Sequence, residues 1–358
     1  MADNKENRIP NVPPLRFPGF SEEWERKRFR DVCNITTGNK NTQDKSDDGI
    51  YPFYVRSQIV ERINSWTFDG EAILTAGDGV GVGKVFHYST GKIGVHQRVY
   101  ILSDFKCDGK YLYSYFAGHF YNRVKRMSAK NSVDSVRMEM IADMPISLPS
   151  TEEQKKIGHL LALLDERIAT QNKIIEKLES LIKGIAHKVA EMGKPNIRIA
   201  ECLECTSSTL QESEVSDLGT YPVYGANGIV GYLDSYNTSD EAIYIVQDGS
   251  GVGSVIYVKG RCSATGTLNI LTAKQDYSLQ FLYYLLRVFN YDPYKTGMAI
   301  PHIYFKDYGK AKIFCPPYAG QLRYAQMLDA IDTKLLTEQK FLISLNCQKQ
   351  YLLRQMFI

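Results

Sequence analysis

The chain has 358 residues, of which 44% are hydrophobic and 23% are charged, and its formal net charge is +3. These proportions are those of a soluble globular protein with two or three domains. The polar start MADNKENRIP is not a signal peptide, and no apolar run approaches the ~20 residues of a membrane span. We therefore expect a cytosolic protein without a membrane segment, whose seven scattered cysteines are reduced thiols.

A glycine-rich stretch, GDGVGVGKV, covers residues 77–85. Phosphate-binding loops need either G-x-G-x-x-G before a helix or G-x-x-x-x-G-K-[ST]. Here Asp78 stands in place of the first P-loop glycine, and Val85 stands in place of the hydroxyl residue that would hold Mg²⁺. The flanking segments AILTA and KVFHY are typical of strands, so we interpret the loop as a hairpin turn and not as a nucleotide site.

The glycine loop belongs to an internal duplication. Residues 51–85 align without a gap with residues 221–255, with 15 identities in 35 positions at a constant offset of 170. The second copy has its own glycine loop, QDGSGVGSV, at residues 247–255. Because this period is far longer than that of a solenoid repeat, the sequence predicts two whole duplicated domains.

The charge is divided unequally between the two repeats. Residues 28–140 carry 16 Lys and Arg against 12 Asp and Glu, whereas residues 198–310 carry 8 against 12. The densest basic cluster, at residues 119–137, mixes cations with tyrosine and asparagine, which can hold phosphates and contact base edges. The alternative interpretation of this cluster is a solvated helix face and loop.

A second repeated element follows each domain, since residues 149–168 are echoed by residues 316–335 at an offset of 167. Ser150 and Glu153 form a capping box, which predicts that a helix starts there. Apolar residues then recur at heptad spacing. The first seam consists of Leu161, Leu164, Ile168, Ile175, Leu178, Ile182, Ile185 and Val189, interrupted by Gln171. The second consists of Leu328, Ile331, Leu335, Leu342, Leu345, Leu352 and Met356, interrupted by Glu338 and Lys349.

Four to five such heptads predict a coiled coil. A homodimer zipper is one possibility, but pairing within the chain is favoured by its higher effective concentration. Some 35 residues make a rod of roughly 50 Å. If the helices run antiparallel, the two domains are related by a pseudo-two-fold axis. Such a pair would match DNA sites about one helical turn, ~34–36 Å, apart.

Together these features resemble the specificity subunit of type I restriction–modification systems over nearly the whole chain. The start PPLRFPGFSEEWERKRFRDV, at residues 13–32, resembles the opening of that family. The family's repeated P-x-x-x-E-Q-x-x-I…L…D segment is matched by Pro149, Glu153, Gln154, Ile157, Leu161 and Asp165. The motifs gain their specificity in combination.

The resemblance implies an α+β protein in which each repeat is a target recognition domain for one half of a bipartite, asymmetric DNA site. It implies that the paired helices are spacers that fix the gap between the halves. The spacers help to dock two modification subunits, which bind S-adenosylmethionine and methylate adenine. Two further restriction subunits use ATP and Mg²⁺ to translocate and cleave DNA. No catalytic residue, metal site or cofactor site is expected in this chain itself.

The expected order is arm, domain, helix, domain, helix. We place these parts at residues 1–27, 28–145, 146–193, 194–312 and 313–358. The second half departs from the family pattern in two places. Ala319 and Gly320 replace the acidic pair Glu152 and Glu153, and the L-R-F-P-G-F opening is not repeated before residues 196–204.

The candidate contacts with duplex DNA are basic, polar or aromatic side chains of the two repeats. In the first repeat they are Arg56, Arg62, Arg98, Arg123, Lys125, Arg126, Lys130 and Asn131. In the second repeat they are Asn227, Arg261, Lys295, His302, Tyr304 and Lys306. An arginine at a base edge would contribute roughly 1–3 kcal/mol of discrimination between bases.

Two other functions are open at this stage. CPPY at residues 315–318 and DPYK at residues 292–295 partly match the [DNS]-P-P-[YF] motif of adenine methyltransferases. However, Cys315 lacks the amide or carboxylate acceptor, and CPPY aligns with the helix entry LPST at residues 148–151. A scaffold that bridges proteins without binding DNA is the other alternative. The lone C-x-x-C of Cys202 and Cys205 does not by itself indicate zinc.

Overall fold

The computed structural model describes residues 11–79, 81–127, 135–249, 251–297 and 300–358, and within them it contains 17 strands and eight α-helices. The chain divides into two compact units. Unit 1 consists of Met1–Gln171 and Phe341–Ile358, and unit 2 consists of Asn172–Lys340. Within the described ranges no helix is long and apolar enough to cross a membrane.

Unit 1 is built on a six-stranded sheet. Its strands are β2 (Asn34–Thr37), β3 (Tyr51–Tyr54), β4 (Glu61–Ile63), β5 (Phe68–Ala76), β6 (Phe86–Val95) and β7 (Val99–Ser103). They are ordered β2-β7-β5-β6-β3-β4, and the pairing of β3 with β6 is parallel whereas the other pairs are antiparallel. A separate antiparallel pair joins β1 (Glu25–Arg28) to β8 (Pro145–Leu148).

The core of unit 1 lies where helices cover this sheet. The helices are α1 (Phe29–Val32), α2 (Gly109–Met127) and α3 (Met138–Ala142). Leu112, Phe116, Phe120 and Val124 recur every four residues, so they lie along one face of α2, and all four are 0% exposed. They pack in one cluster with sheet residues such as Leu102.

Unit 2 repeats this plan with its strands divided between two sheets. The elements are β9 (Ile197–Arg198), α5 (Ile199–Cys202), β10 (Leu203–Ser207), β11 (Tyr221–Gly225), β12 (Gly228–Leu233), β13 (Ala242–Val246), β14 (Val255–Val258), β15 (Ser263–Ala264), β16 (Leu268–Ala273), α6 (Leu279–Val288), α7 (Phe305–Tyr308) and β17 (Lys312–Ile313). One sheet has the order β10-β16-β13-β14 and the other β12-β11-β15, while β9 pairs with β17.

The predicted duplication is confirmed down to single hydrogen bonds. A buried glutamine at the start of each long helix accepts a backbone N–H from the segment just before α2 or α6. Gln154 Oε1 accepts from Asp108 N at 2.9 Å, and Gln321 Oε1 accepts from Ser278 N at 2.8 Å. Each glutamine also donates to a proline carbonyl, at 2.8 Å and 3.0 Å. The glutamine therefore ties α2 and α6 to the long helices that follow them.

Both predicted long helices form, as α4 (Thr151–Glu191) and α8 (Tyr318–Gln355). The predicted seam residues of both helices are buried or half-buried. Apolar residues off the seam are more exposed, for example Leu181 at 48% and Ile343 at 64%. The heptad pattern therefore identified the buried faces correctly.

Within each unit the two helices run antiparallel. In unit 1, Asp165 of α4 forms an ion pair with Lys349 of α8, and Arg167 of α4 lies 5.2 Å from the ring of Phe341 of α8. A later residue of α4 therefore contacts an earlier residue of α8, which is the antiparallel arrangement. Lys349, which interrupts the second seam, therefore has a polar partner. In unit 2, residues at the end of α4 and the start of α8, such as Val189 and Ala325, share one apolar cluster.

The N-terminal arm fastens the start of α4. Arg16 donates from Nε and Nη2 to the two carboxylate oxygens of Glu153, at 2.8 Å and 2.6 Å. Glu153 is 0% exposed. Its backbone N–H meets the hydroxyl of Ser150 at 3.4 Å, as the capping box predicts, but both of its carboxylate oxygens serve the arm. Leu15 N also donates to the carbonyl of Gln355 at the end of α8.

Candidate nucleic-acid interface

The glycine loop of the first repeat joins the antiparallel strands β5 and β6, so the predicted hairpin is confirmed. Gly79 and Gly83 have φ values of +78° and +68°, which side chains other than glycine rarely adopt. A Cβ at Gly81 would lie 2.4 Å from the carbonyl oxygen of Arg56. The glycines therefore shape the turn and bring it against the segment that follows β3.

The second glycine loop, between β13 and β14, has the same design. Gly249 and Gly253 have φ values of +89° and +88°. In both repeats the last glycine faces a tyrosine ring, because a Cβ there would lie 3.3 Å from Tyr121 and 3.0 Å from Tyr291. These two tyrosines are 170 residues apart, so the contact is part of the duplication.

Two of the predicted DNA contacts in the first repeat meet at the carboxylate of Asp78. Arg56 Nη1 lies 2.8 Å from Asp78 Oδ1, and Arg98 Nε lies 3.7 Å from Asp78 Oδ2. The side chains of Arg56 and Arg98 are 44% and 65% exposed. His96 lies behind them and accepts the backbone N–H of Arg98 at 3.0 Å. Burial lowers the pKa of His96, and the neighbouring Arg56 lowers it further.

In the second repeat one predicted contact, His302, meets the equivalent aspartate, and two others follow it in a stack. His302 Nδ1 is paired with Asp248. The rings of His302 and Tyr304 are parallel to within 11°, and Lys306 Nζ lies 5.2 Å from the centre of the Tyr304 ring. Each glycine loop therefore has a basic side chain beside its aspartate, but the basic residues come from different parts of the two repeats.

Tyr121 and the basic residues near the end of α2 have different surroundings. Lys84 of the glycine loop stacks over Tyr121, 5.4 Å from its ring centre. Arg123 and Arg126 instead line a cavity of about 440 Å³ together with His119 and Ile358. Arg123 donates to the carbonyl of Met140 at 2.8 Å, which ties α2 to α3. Lys125 is exposed on α2, and Lys130 and Asn131 lie outside the described residues.

The remaining predicted contacts are not gathered at the loops. Arg62 donates to the carbonyls of Gly49 and Ile50, at 2.8 Å and 3.2 Å, so its guanidinium already supports the chain before β3. Arg261 stacks on Tyr236 at 5.1 Å, and Lys295 is paired with Asp292 at 2.7 Å. Asn227 is exposed in the turn between β11 and β12.

Sequence reasoning missed the role of the two aspartates as partners of the cations. The available signal was that Asp78 and Asp248 are identical across the repeat alignment. Cys202 is buried, and burial raises the pKa of its thiol to about 12. In the part of the chain that the structure describes, no group of His, Cys, Asp and Glu is arranged to hold a metal ion.

Comparison with known proteins decides the family. The profile of the type I restriction modification DNA specificity domain matches the chain twice, over residues 21–180 and 197–346. The two matches cover most of the chain and coincide with the two repeats. The chain belongs to this family.

Curated relatives of this family member carry the same description. It is 27% identical to the type I restriction enzyme EcoDI specificity subunit of Escherichia coli, over 47% of this chain and 37% of that protein. It is 28% identical to the MjaVIII specificity subunit of Methanocaldococcus jannaschii, over 54% of this chain and 47% of the relative. These two matches span less than half the length of either relative. A Haemophilus influenzae protein named as such a subunit is 27% identical over 93% of this chain and 94% of its own length.

Solved structures show the same fold. A type I restriction–modification S subunit from M. genitalium superposes with a TM-score of 0.73 over 97% of this chain and 99% of that one, at 18% identity. A chain from a structural study of type I system assembly superposes with a TM-score of 0.51, at 14% identity. At these identities the likeness establishes the α+β fold with duplicated domains and long helices, and does not extend to function.

Proposed function

We propose that this chain is the DNA-recognition subunit of a type I restriction–modification complex. Each repeat contacts one half of a bipartite, asymmetric site in duplex DNA, and the long helices hold the two halves at a fixed gap. The chain positions two modification subunits, which bind S-adenosylmethionine and methylate adenine. Two restriction subunits, which use ATP and Mg²⁺, complete the complex.

One observation supports this proposal above the others. Exposed or half-exposed basic side chains lie at the same glycine loop in both repeats, Arg56 and Arg98 at Asp78 in one and His302 at Asp248 in the other. A duplicated surface of this kind suits a ligand with two separate sites, as a bipartite DNA sequence is. The basic residues differ between the repeats, which suits an asymmetric site.

Catalysis by the chain itself is not part of the proposal. CPPY, which partly matches a methyltransferase motif, is the turn that leads into α8. Cys315 exchanges two hydrogen bonds with the Asn196 side chain, at 2.8 Å and 2.9 Å. Pro316 accepts from Gln321, as Pro149 accepts from Gln154. These contacts support a helix-entry role for the motif.

The test is selection of DNA by the complex of this chain with its modification subunits. A pool of random-sequence duplexes is incubated with the complex, and bound molecules are separated by mobility shift and sequenced. We expect enrichment of two short fixed blocks separated by a constant number of unspecified base pairs. If the complex forms but enriches no sequence, the protein scaffold is the better description. Mapping of methylated adenines in the native genome checks the selected site.

A further inference from the structure

Asp78 and Asp248 occupy the same place in the two repeats, 170 residues apart, as the second residue of each glycine loop. The backbone around them is also fixed in the same way. Val136 N donates to the carbonyl of Gly77 at 2.7 Å, and Ile303 N donates to that of Gln247 at 2.9 Å. Each loop is thus held against the segment that follows α2 or α6.

The basic side chain beside each carboxylate comes from a different part of the repeat. In the first repeat Asp78 holds Arg56 and Arg98, which follow β3 and precede β7. In the second repeat the position equivalent to Arg56 is Ala226, and Asp248 pairs with His302. Ser135 takes the structural place of His302 in the first repeat, because it forms a β-bridge with Asp78 as His302 does with Asp248. The carboxylate is therefore the same in both repeats, whereas its basic partner differs between them.

We infer that Asp78 and Asp248 are positioning residues that hold the base-contacting side chains of the two half-sites, Arg56 and Arg98 in one and His302 in the other. This inference rests on the proposed function and names the chemistry of its specificity. The Asp78 side chain is 28% exposed and those of Arg56 and Arg98 are 44% and 65% exposed, whereas Asp248 and His302 are about equally exposed, at 36% and 35%. A carboxylate that holds a basic side chain in one orientation lowers the cost of ordering that side chain when it binds, which is the advantage of a preorganised contact.

The bases that these side chains would contact follow from the hydrogen-bond donors and acceptors that the aspartates leave available. A guanidinium has five N–H donors in a rigid fork, so a carboxylate on one edge leaves another edge to contact guanine O6 and N7. His302 must donate from Nδ1 to the carboxylate, since an ionised carboxylate only accepts. In the neutral ring, Nε2 is then an acceptor for an exocyclic amino group of adenine or cytosine. We expect guanine in the first half-site, and adenine or cytosine opposite His302 in the second.

The experiment compares Asp78→Asn and Asp248→Asn with matched controls in the same random-duplex selection. Asp69→Asn and Asp217→Asn are the controls, because they remove the same charge from exposed positions in unit 1 and unit 2. Loss of a negative charge alone should tighten binding to all DNA. If the aspartate positions a base-contacting side chain, its loss should instead lower the preference for the selected base at one half-site by roughly tenfold or more, as expected for a contact to a base edge. Asp78→Asn should affect only the first half-site and Asp248→Asn only the second.

Three outcomes would overturn the inference while the proposed function stands. The wild-type complex selects a bipartite site, but Asp78→Asn behaves as Asp69→Asn does. Alternatively, Asp78→Asn weakens binding equally on all sequences with a changed salt slope, which would mean that the arginines hold phosphates. If Asp78→Asn does not fold, Arg98→Lys keeps the charge and removes the fork. Unchanged selection by folded Arg98→Lys, judged by thermal unfolding, then overturns the inference. If the wild-type complex selects nothing, the proposed function itself fails.

Discussion

Glu153 is a fully buried carboxylate in the first turn of α4, and Arg16 of the N-terminal arm neutralises it through two hydrogen bonds. The second repeat has Gly320 in place of this glutamate and lacks the arm sequence that contains the arginine. The second repeat thus lacks both the buried glutamate and the arm that carries the arginine. These two departures from the family pattern are linked, because each partner of the ion pair stabilises the protein only when the other is present. The sequence displayed both changes but not the contact that joins them.

Arg16→Ala should destabilise unit 1 by about 3–5 kcal/mol, because it leaves the Glu153 carboxylate buried and unpaired. The neighbouring pair of Lys155 and Glu152 is exposed on the same turn, so Lys155→Ala serves as the control, with an expected change of about 0–1 kcal/mol. Urea unfolding followed by tryptophan fluorescence measures both, since the chain's two tryptophans, Trp24 and Trp66, lie in unit 1. Equal effects of the two substitutions would contradict the assigned role of the arm.

Three histidines of unit 1 lead us to expect that acid destabilises this unit. Burial lowers the pKa of His87, His96 and His119 below the ordinary value. In the unfolded chain these imidazoles take up protons near pH 6.5, while in the folded unit they do so only at lower pH. The free energy of unfolding should therefore fall as the pH drops below about 6.5. Fluorescence-detected urea unfolding between pH 5 and 8 checks this.

His119→Gln should reduce that pH dependence, because it removes one of the three groups whose proton uptake differs between the folded and unfolded states. His159→Gln, at an exposed position of α4 in the same unit, is the matched control. A pH dependence unaffected by His119→Gln would mean that other groups carry the effect.

At the scale of elements, periodicity predicted more than local chemistry did. The offsets of 170 and 167 identified the repeated hairpins and helix starts, and heptad spacing identified the seams of α4 and α8, because these patterns follow from backbone geometry. Contacts between segments far apart in sequence were not predictable in this way. Arg62, a predicted DNA contact, also donates to the carbonyl of Gly49, and neither this bond nor the ion pair of Asp78 with Arg56 is indicated by the sequence pattern. A basic residue has the same appearance in sequence whether its guanidinium meets a carbonyl, a carboxylate or solvent.

The length of α4 should set the gap between the DNA half-sites. Inserting four residues near Lys173, an exposed position in the helix, adds ~6 Å at 1.5 Å per residue. This corresponds to close to two base pairs at roughly 3.4 Å each. We expect the selected spacer to lengthen while both half-site sequences stay the same, with some loss of stability from the shifted heptad register. Sequencing of methylated or selected DNA measures the spacer.

If the insertion variant folds and selects the same halves at the same separation, α4 does not set the gap. If the selected bases change instead, the helices contact DNA themselves, and the division of labour between domains and helices is wrong. A substitution at the same position, Lys173→Ala, keeps the helix length and should leave the spacer unchanged.

At the scale of the molecule, unit 1 is assembled from distant parts of the sequence. Leu353, Met356 and Phe357 join the same buried cluster as Trp24 and Tyr111. The ring of Phe357 lies 5.2 Å from that of Tyr111 and 5.5 Å from that of Tyr115. The end of α8 and the residues that follow it are therefore part of the core of unit 1.

Phe357→Ala should destabilise unit 1 by about 3–5 kcal/mol, as expected for removal of a buried aromatic side chain. Ile343→Ala is the control, because Ile343 belongs to the same unit but is 64% exposed, so a change within about 0.5 kcal/mol is expected. Urea unfolding with tryptophan detection measures both. A small effect of Phe357→Ala would show that the segment after α8 is dispensable for this core.

The division of the chain also sets an order for its synthesis. Unit 2 is continuous, so it can complete its core once the ribosome has released residue 340, whereas unit 1 must wait for residues 341–358. During that interval the cluster around Tyr111 is without Phe357, although its own segment was translated first. Unit 1, whose segment comes first in the chain, is thus completed after unit 2. A chain that stops before residue 341 can contain a finished unit 2 but not a finished unit 1, so a truncation at that point separates the two units.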